Sequence, residues 1–453
     1  MRVLQSAEFD RYWRQEKPPD AETVFPQVRD IINAVRRRGD AAVREFAARF
    51  DKCSPETLEV PAELARRSYQ ELGEREPELL AALECAAEHG KIFALRQRAQ
   101  YADFEFELAP GLFTGQRVVP VQRAAIYVPG GRFPLISSVL MGLIPAMAAG
   151  VAEIILASPP QADGFPDRRI LAAAHLAARR MNEGRRPLRY FALGGAQGIA
   201  ALALGTGSVP QVDLIAGPGN RYVAAAKQLL FGEVGIDFIA GPTDVLIIAD
   251  GAGGGRAMDR AAADMLAQAE HDPDARSRVL LPNRDLAEEL QAALERRLGL
   301  AALDPEQREG AAPGRSCAAA SLERGALMVI YDQREEAVRI ANAIAPEHLE
   351  LQVADPDRWI PGLVNYGSLF IGSLAVEALG DYTAGINHTL PTRGSARFSG
   401  GLSVRHFLKI LTSLRGAPGP GYAQALEAAK RIARAEGLFF HAESAASREA
   451  GDV

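Results

Sequence analysis

Residues 264–274, DMLAQAEHDPD, carry Gln268 and His271 three positions apart in a stretch whose Ala and Leu content favours helix. Side chains at i and i+3 share one helix face, so an amide oxygen and an imidazole there are able to converge on one cation; the same spacing also describes a surface pair or a satisfied, half-buried one. Two ligands do not complete a site. Downstream the chain offers Glu347 and His348 in APEHLEL, Asp381 and His388 in GDYTAGINH, and Glu436 and His441 in AEGLFFHAES. Carboxylates and imidazoles are the groups that bind zinc-like ions through O and N and that move protons near neutral pH. Each has a plain alternative: Gly380-Asp381 is also turn chemistry, and Pro346-Glu347-His348 also reads as the start of a strand with a solvated glutamate.

The elements that must position these groups alternate in kind. Residues 28–50 read as a helical hairpin, with Val28, Ile31, Ile32 and Val35 on one stripe and Val43, Phe46 and Phe50 on a second after Gly39. Residues 61–100 continue as helix, and the short apolar alternations of 104–128 read as strands, the last running into Pro129-Gly130-Gly131. From there helices at 137–149, 168–181 and 221–230 alternate with strands at 153–158, 190–193 and 212–216. A second such series starts with a strand at 245–249, passes through the Gln268 helix, and adds strands near 279–281 and 328–331. The expected fold class is therefore α/β, with two incomplete Rossmann-like modules and helical arms at both ends. Residues 301–320, rich in Gly, Ala and Pro, read as a surface excursion with little regular structure, 394–401 as a Gly/Ser loop, and 422–436 as a final helix. No G-x-G-x-x-G is present, but glycine turns around Gly130, Gly194 and Gly217 fall at strand ends, where an α/β sheet takes ligands.

Composition narrows the class. A chain of 453 residues with 48% hydrophobic and 24% charged content is that of an ordinary globular protein with room for two or three domains. A net charge of -6 argues against a general nucleic-acid-binding surface. No apolar run reaches the roughly 18 residues of a membrane span, and the first residues lack the apolar core of a signal peptide, so the expected location is the cytoplasm. Cys53, Cys85 and Cys317 are widely separated, which indicates neither a disulfide framework nor a thiolate zinc site.

In this order the segments resemble the histidinol dehydrogenase family, zinc- and NAD-dependent enzymes of the last steps of histidine synthesis. The resemblance extends through YVPGG (127–131), SSVLM (137–141), GGAQ (194–197), GPGN (217–220), FGEVGID (231–237) and SARFSGGLSV (395–404). It implies zinc held by Gln268, His271, Asp381 and His441, and NAD contacted by Tyr127, Gln197 and Asn220. Glu347 and His348 match the family's acid/base pair, His348 taking the alcohol proton and Glu347 activating water for the aldehyde step. Thr243, Gln268, His271, Glu347, Asp381, His388, Glu436 and His441 match positions around the substrate, L-histidinol, which two NAD oxidise to L-histidine. The resemblance also implies a homodimer in which C-terminal arms complete each other's sites. The corresponding domains are an N-terminal arm (1–21), a metal and catalytic domain (22–126 with 245–390), an NAD-binding domain (127–244) and a C-terminal arm (391–453).

Two stretches depart from the family's wording. Residues 240–244 read AGPTD where the family usually has AGPSE, and Arg132-Phe133-Pro134-Leu135 resembles paralogues that oxidise other polyols, including sulfonated propanediols. An anionic substrate would need a nearby cation, for which Arg132 is the candidate. Two further classes stay open: a catalytically silent binding relative, and a metal-dependent hydrolase using Glu347. Reduction of NAD on adding substrate separates a dehydrogenase from both.

Overall fold

Runs of branched aliphatic residues with no polar alternation, such as those in Glu153–Ser158 and Asp244–Ala249, suit parallel strands covered on both faces. The computed structural model, which describes residues 1–15, 21–53, 55–130, 134–182, 188–299 and 313–448, builds two six-stranded sheets from them. The first sheet has the spatial order Arg2–Gln5, Leu327–Ile330, Arg276–Leu281, Asp244–Ala249, His348–Gln352, Ser368–Ile371, and every pairing is parallel. In the second the order is Glu59–Val60, Leu188–Ala192, Glu153–Ser158, Arg123–Tyr127, Leu214–Ala216, Gly235–Ile236, with only the Glu59–Val60 edge antiparallel. Helices cover both faces of each, so the α/β expectation holds.

The partition of the chain between the sheets differs from the expected one. Residues 22–126 were grouped with 245–390, yet their helices cover the other sheet. Phe25–Arg38 and Asp40–Phe46 bury Val28, Ile32, Val35 and Val43 against Ile155 and Phe191 on one face. Ala62–Arg75 and Pro77–Arg98 bury Ala65, Leu72, Leu83 and Ala87 against Ile126 and Ile154 on the opposite face. Periodicity finds these stripes but does not say which sheet buries them. The N-terminal residues, expected as a short arm, join the first sheet. Arg2–Gln5 is the edge strand beside Leu327–Ile330, with Val3 and Leu4 packing on opposite faces as strand geometry requires, and Phe9 of helix Ser6–Gln15 is fully buried.

Two further expectations change. Within 301–320, residues 313–320 belong to a helix, Pro313–Gly325, that buries Ala318 and Leu322; the rest of the stretch lies outside the described residues. After the 394–401 loop the chain forms a strand, Leu408–Gly416, paired antiparallel along Leu112–Pro120, before helices Pro420–Ala435 and Phe439–Ala446.

The turn at 217–220 is braced from inside. Gly217 has φ +118°, and a Cβ there would strike the Tyr127 carbonyl at 2.1 Å, so only glycine fits. Its N–H donates to Asp237 Oδ2 (2.8 Å) and its carbonyl accepts from Lys227 Nζ (2.9 Å), while Lys227 and Asp237 form a buried ion pair. Truncating one partner of such a pair leaves an uncompensated buried charge, costing about 3–5 kcal/mol. Lys227→Met should therefore lower stability by about that amount, read as a drop in the urea midpoint, and an unchanged midpoint would show the brace to be idle.

Candidate functional site

A cleft of about 730 Å³ lies between the two sheets. Its one wall is the carboxyl edge of the second sheet, with Pro129, Pro218, Gly219 and Asn220; its other wall is the amino edge of the first, with Thr243, Glu347 and His348. His271, Asp381 and His388 also line it. The edges come from adjacent segments locked together: Asn387 Nδ2 donates to the Met141 carbonyl (2.7 Å), and Gly241 N–H donates to Thr392 Oγ1 (2.6 Å).

Glu347 and Asp244 hold each other across neighbouring strands. The Glu347 N–H donates to Asp244 Oδ1, and the Asp244 N–H to Glu347 Oε2, both at 3.2 Å. Thr243 Oγ1 adds a donation to Glu347 Oε2 at 2.5 Å, and the buried Arg278 pairs with Asp244 Oδ2 at 3.2 Å. The departing pair Thr243-Asp244 is thus built into the seat of Glu347. Burial pushes the Glu347 carboxyl up to about 7, against the opposing pull of His348 and Thr243. It is a buried acid rather than a solvated strand-start residue.

His348 opens the strand His348–Gln352, whose alternation sends Leu349 and Leu351 into one apolar core and His348, Glu350 and Gln352 to the other face. That polar face is fully covered. Gln352 Nε2 donates to Glu350 Oε2 (2.6 Å) and Asp264 Oδ2 (2.9 Å). Burial, then the Asp264 carboxylate, drives Glu350 well above the usual carboxylate range, and burial also raises Asp264. His348 Nδ1 stands 3.7 Å from Glu377 Oε1 and Nε2 stands 3.7 Å from Asp381 Oδ1. Burial alone would lower the imidazole, but the carboxylates of Glu377, Glu347 and Asp381 hold it well above its ordinary value. Burial lifts Glu377 to about 8, with His348 opposing, whereas for Asp381 the neighbouring imidazole outweighs burial and keeps it low.

Gln268 and His271 do come near this cluster, but not along one helix face. The helix Ala257–Ala269 ends before His271, whose N–H bonds back to the Gln268 carbonyl at 3.4 Å. Gln268 is 0% exposed, whereas His271 reaches the cleft from the turn beyond. With its nitrogen toward the Glu377 carboxylate, the Gln268 amide accepts from the Asp244 N–H at 3.0 Å. One ligand atom each from His271, Glu377 and Asp381 lie within 4.8 Å of one another, a mixed N and O donor set of the kind zinc accepts. Glu377 was missed from the sequence. Its signal was the i, i+4 spacing to Asp381 on the short helix Glu377–Tyr382.

His388 bridges inward, Nε2 to Ser138 Oγ (3.0 Å) and Nδ1 to the Asp381 carbonyl (2.8 Å), and burial depresses its imidazole. Asn220 caps the helix Arg221–Leu230 by accepting from the N–H groups of Tyr222 and Val223. Tyr127 and Gln197 are buried behind that wall: the Tyr127 hydroxyl accepts from Gly195 N–H (3.1 Å), and Gln197 Nε2 donates to Asp51 Oδ2 (3.1 Å). Burial raises Asp51 to about 6. Glu436 and His441 are exposed and do not line the cleft of their own chain. Arg132 and Phe133 lie outside the described residues. Among the described residues no helix is long and apolar enough to cross a membrane.

The model of the histidinol dehydrogenase family matches residues 14–449. A histidinol dehydrogenase of Thermus thermophilus is 45% identical over 93% of this chain and 94% of its own length. One of Parasynechococcus marenigrum is 41% identical over 98% and 95%. The crystal structure of histidinol dehydrogenase from Elizabethkingia anophelis superposes with a TM-score of 0.86 at 30% identity, covering 99% of this chain and 97% of that one.

The raised acid at 347 has a stability consequence whose sign is fixed. Its folded value of about 7 exceeds the ordinary 4.5, so the fold loses stability as pH rises between those values, with a full deficit of about 3 kcal/mol above them. In metal-free protein, Glu347→Gln should therefore unfold at a higher temperature than wild type at pH 8 and differ little at pH 5. Thermal unfolding at both pH values decides; an equal difference at each would rule out a buried, raised carboxyl.

Proposed function

The chain belongs to the histidinol dehydrogenase family, and from that premise we propose that it oxidises L-histidinol through the aldehyde to L-histidine, with two NAD and one zinc per site. The observation that carries this reading is the side-by-side placement of Glu347 and His348 on the lining of a cleft that also holds His271 and Asp381, with Glu377 within ligand distance of those two. An alcohol oxidation needs a base for the hydroxyl proton, and the buried His348 ring, in its neutral form, is the group positioned to take it. Aldehyde oxidation then needs an activated water. Glu347, with a carboxyl near 7 beside the same cleft, is suited to accept that proton at neutral pH.

Zinc would be held by Gln268, His271, Asp381 and His441, and when bound it supplies Lewis-acid polarisation of the substrate's oxygen. The donor types and the proximity of His271 to Asp381 support this set. NAD, the hydride acceptor, would lie against the opposite wall, where the 217–220 turn opens the helix Arg221–Leu230 and the positive end of its dipole favours a pyrophosphate. Tyr127 and Gln197 would contribute there by fixing the Gly194-Gly195 turn, and Asn220 by direct exposure to the cleft. Residues 127–244 thus carry the dinucleotide and 245–390 the metal and acid/base groups. Thr243 and His388 would hold the substrate's polar ends from within the chain.

His441 and Glu436 must then come from a second subunit. Their segment supports that: Phe439 and Phe440 are 62% and 79% exposed, and Leu438 is also exposed, an apolar cluster that a partner would cover. The arm of each protomer completing its partner's cleft makes the homodimer the functional unit.

With L-histidinol and NAD the purified protein should yield two NADH per histidinol consumed, whereas a panel of short diols, including a sulfonated propanediol, should give none. Activity confined to an anionic diol, lost in Arg132→Ala, would replace histidinol as substrate and leave the dehydrogenase class intact. Shared sites have their own test. Mixing equal amounts of inactive His271→Ala and inactive His441→Ala should restore about a quarter of wild-type activity, as about half of the dimers are hybrids and each holds one intact site of two. Demonstrated subunit exchange without recovered activity would refute completion in trans.

A further inference from the structure

Both ring nitrogens of His348 are buried and neither makes a hydrogen bond in this structure, an uncommon state for a buried polar group. The two carboxylates nearest them differ in placement. Asp381, 3.7 Å from Nε2, lines the cleft; Glu377, 3.7 Å from Nδ1, does not, and sits behind the ring at 2% exposure. Glu377 is itself held from two sides. Its N–H donates to Glu350 Oε1 at 3.4 Å, and its carboxylate receives the Gln268 amide.

A neutral imidazole carries one proton, and Nε2 is free to accept another only when that proton resides on Nδ1. Something must accept from Nδ1–H to fix that tautomer. We propose that Glu377 is the positioning residue for His348: its carboxylate accepts from Nδ1–H, turning the Nε2 lone pair into the cleft. The inference rests on His348 being the base that takes the substrate's proton. A contraction of under about 1 Å closes the 3.7 Å gap to a hydrogen bond, and such contacts are commonly long before substrate binds. Glu377 also lies close enough to His271 and Asp381 to be a metal ligand, and the experiment separates that role from positioning.

Two variants are compared, Glu377→Leu, which removes the acceptor, and the near-isosteric Glu377→Gln, which keeps an acceptor oxygen without the charge. With L-histidinol and NAD, Glu377→Leu should lower kcat about a hundredfold with KM within about threefold, and Glu377→Gln about tenfold. In a His348→Asn background the same substitutions should each change kcat by less than about twofold, because no ring remains to be oriented. Zinc content should stay at the wild-type level in both. Equal losses in the two backgrounds, an unchanged kcat, or zinc lost from Glu377→Gln would overturn the proposal, and Glu377→Gln alone carries every comparison if the leucine variant does not fold. A substrate-free readout keeps this separate from the identity of the substrate. In protein with ¹⁵N-labelled histidine, at a pH high enough that the ring is neutral, the resonance that disappears in His348→Asn should report a proton on Nδ1 in wild type and a shifted tautomer in Glu377→Leu. A wild-type ring protonated on Nε2 instead would refute the assignment whatever the enzyme oxidises.

Discussion

The reciprocal exchange between Asp244 and Glu347, each backbone N–H donating to the other's carboxylate at 3.2 Å, is the constraint on which the site depends. Two acids side by side in a covered position repel, and their charges interact far more strongly there than in water. The arrangement persists because each carboxylate has a compensating donor: Arg278 for Asp244, Thr243 for Glu347. Holding the Asp244 and Glu347 positions in register fixes adjacent strands of the first sheet, and hence the direction in which His348 leaves the strand that follows.

Open α/β sheets usually take ligands at the carboxyl edge, beyond the glycine turns. The cleft of this molecule lies between both kinds of edge. The carboxyl edge of the second sheet offers backbone N–H groups and a capped helix start, suited to an anion; the amino edge of the first offers carboxylates and imidazoles. Facing the two across one cleft puts a helix start opposite a cluster of ionisable side chains, a combination that neither sheet supplies alone. The pair of Lys227 and Asp237 braces the Gly217 turn within one wall, and the hydrogen bonds of Asn387 and Thr392 tie neighbouring segments together.

The polar face of His348–Gln352 is costly to bury. Glu350, Glu377 and Asp264, the last on the helix that carries Gln268, are all raised carboxyls, and the hydrogen bonds among them and Gln352 offset only part of the desolvation. Such a layer makes little sense for stability, since apolar residues of similar size would fill the space at no electrostatic cost. It surrounds His348 with carboxylates on the covered side of the strand, Glu377 standing 3.7 Å from its Nδ1.

Much of this was legible in the residues. Alternating helix and strand periods gave the α/β class, because burial on both faces leaves a pattern that no local environment hides. The linear order of APEHLEL, GDYTAGINH and the 217–220 turn, through its family resemblance, named Glu347, His348, Asp381 and Asn220, all of which line one cleft. What the sequence did not reveal follows from one physical fact, that a helix stripe or an alternating strand specifies that a face is buried but not against what. Residues 22–126 are therefore expected with the first sheet although their helices cover the second, and residues 1–21, expected as an N-terminal arm, begin with an edge strand. Glu377 went unnoticed, since its partners are far along the chain; Gln268 and His271 were read on one helix face although the helix ends between them. Only tertiary packing could turn the ordinary alternation of HLELQ into a buried acid layer, because the charge state and partners of a side chain are set by what the fold places over it.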